Sequence, residues 1–115
     1  MKSSERILEF EVNKQRLTKK KGCNFSNIVA GTTGYLKAKF YFSQDEWGGC
    51  RKAASFWLEG HEYAVLLDEN DACTIPKEAL TGKKFIVTVT GRHANYEILT
   101  SEVTVRQEVR RNGNS

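Results

Sequence analysis

Tyr35-Leu-Lys-Ala-Lys-Phe-Tyr-Phe42, then Ser43-Gln-Asp-Glu-Trp-Gly-Gly-Cys50, then Arg51-Lys-Ala-Ala-Ser-Phe-Trp-Leu58 is the stretch that decides the fold. In the first run Leu36, Ala38, Phe40 and Phe42 point one way, and Tyr35, Lys37, Lys39 and Tyr41 point the other. A period of two with cations on one side belongs to a β-strand with one wet face. The third run repeats it more weakly, with Ala54, Phe56 and Leu58 sharing a side. Between them Gly48-Gly49 admits positive φ and Asp45-Glu46 favours solvent, so the chain is expected to reverse there. The two runs are then expected to pair as a broad antiparallel unit carrying the main core.

Upstream, a polar lead (Met1 to Ser4) precedes an apolar-rich strand at Arg6 to Val12. A brief strand around Gln15-Arg16-Leu17 and a basic loop follow. Phe25, Ile28 and Val29 predict another short strand within Asn24 to Ala30. Downstream, Glu59-Gly60-His61 and the acidic tetrad Asp68-Glu69-Asn70-Asp71 are expected turns flanking a strand at Glu62 to Leu67. Pro76 ends any ladder begun at Ala72 and opens a single helical turn over Lys77 to Leu80. Lys84 to Thr90 has the strongest β-propensity in the chain. Gly91 is expected to free the backbone for a loop ending at Asn95. A long strand then runs from Tyr96 to Val105 with Leu99, Val103 and Val105 inward. The tail 108–115 lacks apolar periodicity and is expected to fray. Short alternating segments with hardly any helix predict an all-β chain, an antiparallel two-sheet sandwich or a barrel. It is expected to be one domain over 1–115 with its ordered core at about 6–107.

Composition agrees. With 115 residues, 39% hydrophobic and 28% charged, the chain is long enough to bury a core without staples. A net charge of +4 permits an acidic partner, but the basic residues are dense only at Lys19-Lys20-Lys21 and from Arg106 to Arg111, so nucleic acid is not expected. No apolar run approaches the roughly 20 residues of a membrane span, and Met1 to Arg6 does not lead into a signal-peptide core. Cys23, Cys50 and Cys73 match no zinc spacing and are read as three reduced thiols, with Cys73 buried as a small hydrophobe. No cofactor or metal is expected: Asp68 to Asp71 lacks a calcium loop's later glutamate, and Gly31-Thr-Thr-Gly34 lacks the lysine of a phosphate loop. A Cys–His catalytic pair would need Cys50 or Cys73 to meet His61 or His93. Both histidines fall in expected loops, so no catalytic residue is assigned and the chain is expected not to be an enzyme.

A Phe-x-Phe strand followed by a Trp (Phe40, Phe42, Trp47) comes before a strand carrying Ala54 and Phe56. Cys73-Thr-Ile-Pro76, with Glu78 and Leu80, precedes Phe85-x-Val87-x-Val89-x-Gly91, and Ile98-Leu99-Thr100 opens the last strand. In this order, over Phe10 to Val105, the chain resembles the immunoglobulin-like N-terminal domain of upper-baseplate and tail proteins of phages of Gram-positive bacteria. That resemblance implies an immunoglobulin-like sandwich acting as a tail structural or attachment module by docking on other virion proteins. Such proteins continue into coiled-coil or receptor-facing regions that are missing here. The alternative is therefore a small phage-encoded inhibitor that binds a host defence protein or nucleoprotein complex. The expected partners are proteins, including a second copy of the chain, and the expected location is the virion or the host cytoplasm.

Within that frame, the segment 91–96 offers Arg92, His93 and Tyr96 as partner-binding candidates, since arginine and tyrosine are enriched at interface hot spots. Tyr35 and Tyr41, on the wet face with Lys37 and Lys39, form a second candidate patch, with simple cross-strand pairing the competing role. Trp47, Cys73, Pro76 and Gly91 are assigned to the scaffold: Trp47 as a lid on the sandwich edge, and Pro76 as a crossover between sheets.

Overall fold

Among residues 5–43 and 45–108, which the computed structural model describes, the alternating runs form nine strands in two facing sheets. The first sheet has β1 (Arg6–Asn13), β2 (Arg16–Lys19), β3 (Leu36–Phe42) and β6 (Ala72–Thr74), in the order β2-β1-β3-β6. The second has β4 (Arg51–Leu58), β5 (His61–Leu66) and β7 (Lys84–His93) in the order β5-β4-β7. Along the far edge of β7 lie β8 (Tyr96–Leu99) and β9 (Val103–Arg106), end to end. The fold is an all-β sandwich. Its core is the inner side of each alternating run: Leu8, Phe10, Leu36, Ala38 and Phe40 face Ala54, Phe56, Phe85, Val87 and Val89, all buried. Phe10 stacks on Phe40 at 5.1 Å between ring centroids, and each such side chain contributes about 1.5–3 kcal/mol of burial.

Two expectations about pairing change. The runs ending at Phe42 and beginning at Arg51 do not pair with each other: β3 and β4 belong to opposite sheets. Alternation reports a half-buried strand but not whether its neighbour lies beside it or across the core. The connection decides, and here it crosses the end of the sandwich through a 3-10 turn at Asp45–Trp47 that buries Trp47. Second, β1 pairs β3 in parallel, Phe10 opposite Phe40, while the other strand pairs are antiparallel.

The crossover that a parallel pair requires includes residues 24–30, expected as a strand and found irregular. Asn27 sits at φ 58°, and the Arg6 guanidinium donates to the carbonyls of Asn24, Ser26 and Asn27 at 2.8, 2.6 and 3.2 Å. One arginine thus satisfies acceptors that a ladder would otherwise pair. Val29 forms a bridge to Glu108, whose amide and carbonyl are both bonded to this loop, to Ile28 and Ala30. Residues 1–4 and 109–115, the polar lead and the rest of the expected frayed tail, lie outside the described residues.

Gly91 is not a turn residue. It lies inside β7, and a Cβ on it would come within 2.7 Å of the Trp47 ring. Its role is close approach. Pro76 precedes the expected turn, a 3-10 turn at Lys77–Leu80, and its carbonyl accepts the Ala79 amide at 3.0 Å. This segment carries the chain from the first sheet to the second.

The expected long strand from Tyr96 to Val105 is broken by a β-bulge. Thr90 lies opposite Leu99 but Val87 lies opposite Val103, so four residue steps on one strand match three on the other. Thr100 fills the gap, its hydroxyl accepting the Val89 amide at 2.9 Å and its own amide bonding the Val89 carbonyl. The extra residue reverses the pleat. Val103 and Val105 turn inward as expected, but Leu99 turns outward and is 53% exposed.

Cys73 sits opposite Ala38 and is buried, as expected of a small hydrophobe. Burial, with a smaller contribution from Asp68, pushes its thiol up to about 12. Cys23 and Cys50 are partly exposed. Native protein treated with a maleimide at neutral pH is therefore expected to take up label at Cys23 and Cys50, and at Cys73 only after denaturant is added. Intact-mass measurement checks this; equally fast labelling of all three would contradict the buried position of β6.

Candidate docking face

Sequence nominated the β7–β8 hairpin, and its residues are engaged. Arg92 Nε donates to Glu97 Oε2 at 3.1 Å. His93 stacks on Tyr96 with centroids 5.4 Å apart and rings nearly parallel. The Tyr96 hydroxyl donates to the Glu46 carbonyl at 2.7 Å, and the Cys50 thiol lies 3.7 Å from both oxygens. Contact with Cys50, then desolvation, pushes the Tyr96 hydroxyl pKa up. This trio fastens the hairpin to the crossover. Imidazole and thiol share Tyr96 as a neighbour, and the thiol's hydrogen bonds run to oxygen rather than to His93. His61, at the start of β5 and opposite Leu58, lies at the far end of β4 from both the Cys50 thiol and the hairpin.

Tyr35 and Tyr41 do not form one patch. Tyr35 occupies a bend before β3, its carbonyl accepting the Arg6 amide at 2.8 Å. Tyr41 lies at the other end of β3 on the outer face of the first sheet. Its hydroxyl donates to Glu9 at 2.7 Å, which raises its pKa, and Lys20 and Lys39 approach its ring at 5.2 and 5.0 Å. Lys20 also reaches Glu11, and Lys37 reaches Glu5. Apart from the exposed Ile7, the outer face of the first sheet is thus largely a set of pairs already made. The acidic tetrad is likewise closed on itself: Asp68 Oδ1 accepts the amides of Ala72 and Asn70, which hold its carboxyl below the usual range. Asp71 pairs with Lys52 at 3.1 Å.

The outer face of the second sheet differs. Register places Leu66, Ala53, Thr90 and Leu99 in one row across four strands. The next row holds Ala64, Ser55 and Thr88, and the one beyond it Glu62, Trp57, Ile86 and Thr104. Arg51, Arg92 and Glu97 close the opposite end. Small side chains in the middle and tall ones at the margins make a trough of about 570 Å³. Trp57 Nε1 donates to Thr88 Oγ1 at 2.9 Å, laying the indole across two strands, and the buried Ser55 hydroxyl donates to Glu62. Leu66 is 61% exposed at one margin, facing Leu99 at the other. Scattered exposed leucines are ordinary, but two flanking a concave, largely uncharged floor form a contiguous surface suited to packing against another protein.

Sequence reasoning missed this face. A signal was present: Ile86, Thr88 and Thr90, the outward positions of the strongest strand, carry no charge, and neither do Ala53, Ser55 and Trp57 beside them. Leu99 was not legible, because its outward position depends on the bulge. Compared with models of known protein families, with curated proteins and with solved structures, the chain matches none.

Proposed function

We propose that this chain is a non-catalytic docking module of the phage tail or baseplate kind, and that it binds another protein through the outer face of its second sheet. The contrast between the two outer faces carries the proposal. One is occupied by internal pairs around Tyr41, and the other leaves Leu66 and Leu99 exposed around a neutral trough. The order of motifs from Phe40 to Thr100 supports the tail assignment. An antibody to the chain is expected to label the tails of purified virions in electron micrographs. Unlabelled particles remove the structural role and leave the inhibitor of a host protein as the reading to pursue.

The face itself is tested separately. Leu66→Glu with Leu99→Glu is expected to abolish incorporation into particles, while stability shifts by only about 0.5 kcal/mol because both side chains are exposed. Ile7→Glu, at an exposed position on the first sheet, is the control and is expected to leave incorporation intact. Normal incorporation of the leucine variant would place docking elsewhere.

A further inference from the structure

Resting on the docking reading, we propose that one occupant of the trough is a second copy of this chain, packed face to face with the strands of the two copies antiparallel. Charge on this face is sorted by end. Arg51 and Arg92 lie at the hairpin end, and Glu62 lies beside Trp57 at the other, six residues or about 20 Å along β4. Among the described residues Arg92 is paired with Glu97, whereas the guanidinium of exposed Arg51 makes no hydrogen bond or ion pair. A two-fold axis lying between the copies and across the strands, near the Leu66 and Ala64 rows, sets Arg51 over the partner's Trp57 and beside the partner's Glu62. The same contact then recurs at the far end. A guanidinium on an indole face, with a carboxylate in reach, is favourable on both counts.

The shape is self-complementary in the same orientation. Leu66 of one copy falls toward the partner's small residues Ala64 and Ser55, as ridges do between sheets packed about 10 Å apart. Charge balance favours self-pairing further. The trough is lined by two arginines and two glutamates, so it is a neutral face on a chain of net charge +4, and two copies meeting there avoid the repulsion of their other surfaces. Four strands spaced about 4.8 Å apart and roughly 20 Å long give a modest footprint, at the small end of specific interfaces. The dimer is accordingly weak and reversible.

Sedimentation equilibrium of the full chain, from low micromolar to near-millimolar concentration, tests this. Wild type is expected to dimerise reversibly. Arg51→Glu and Glu62→Arg, each alone, are expected to weaken the dimer about tenfold or more, since each places like charges together at both ends. An equimolar mixture of the two is expected to recover the dimer, because both cross-contacts then join opposite charges. Leu66→Glu, at an exposed position that folding tolerates, is expected to be monomeric. Wild type that stays monomeric throughout, a mixture of two folded variants that does not associate, or a Leu66→Glu chain that dimerises normally each overturns self-pairing. If wild type is monomeric yet the two-leucine variant still fails to enter particles, self-pairing falls and the docking face stands. If that variant also enters particles normally, both fall.

Discussion

Replacing Trp47 with alanine is expected to lower the free energy of unfolding by about 3–5 kcal/mol, the usual cost of truncating a large buried aromatic. That is a large share of the roughly 5–15 kcal/mol that holds a domain together. Trp47 is buried to within 1% of its surface and joins three parts of the chain. It belongs to the crossover between sheets, its ring lies 5.0 Å from Phe42 of the first sheet, and it covers Gly91 of the second. Its Nε1 donates at 2.7 Å to the carbonyl of Lys14, a residue in the left-handed region at the tip of the β1–β2 hairpin. Trp47→Phe separates these contributions. It keeps most of the packing and loses the hydrogen bond, a net of about 1 kcal/mol plus some lost volume. Urea titration of all three proteins gives the comparison, with an unchanged m-value showing that native and unfolded states keep their compactness. A Trp47→Ala chain within about 1 kcal/mol of wild type would mean that the indole is a surface lid, contributing little to the core.

Gly91→Ala is expected to destabilise by about 2–3 kcal/mol through overpacking. Glycine to alanine within a strand ordinarily gains about 0.5–1 kcal/mol by restricting the unfolded chain, so the expected sign is reversed. The added methyl would stand 2.7 Å from one Trp47 ring carbon, 2.8 Å from the next and 3.2 Å from the Cys50 Cβ. The ring cannot easily retreat, because Lys14 and Phe42 hold it from other sides. A double-mutant cycle identifies the cause. In a Trp47→Ala background the methyl enters space that the indole has left, and Gly91→Ala is expected to cost nothing or to stabilise. The same cost in both backgrounds would mean that Gly91 is needed for its backbone freedom, as the sequence alone suggested.

That contrast shows where sequence was informative and where it stopped. The alternation of Leu36-Ala38-Phe40 identified a strand and its two faces, and the apolar runs at Arg6 to Val12 and Lys84 to Thr90 identified two more strands, because period two follows from the pleat alone. Cys73 and Pro76 were legible for similarly local reasons: an apolar setting for one, a missing amide for the other. Pairing was not local. Whether β3 lies beside β4 or across the core depends on Trp47 preferring the interior to the exposed reversal that Gly48-Gly49 permitted. The parallel match of β1 with β3 depends on Arg6 collecting carbonyls 18 to 21 residues away. Arg92, Tyr96 and Tyr41 have the composition of hot spots, yet each is tied to Glu97, Glu46 or Glu9 by geometry that composition does not encode.

The single surplus residue beside Thr100 has a consequence for how such a chain changes over generations. Losing one codon among those for Thr100, Ser101 and Glu102 would leave three residue steps opposite three, so Leu99 would still point outward and Val103 and Val105 inward, now on an unbroken pleat. A codon lost inside β7 would instead turn every side chain beyond it over to the other face. The surplus residue thus marks a place in this sheet where length can drift between generations without exchanging core for surface.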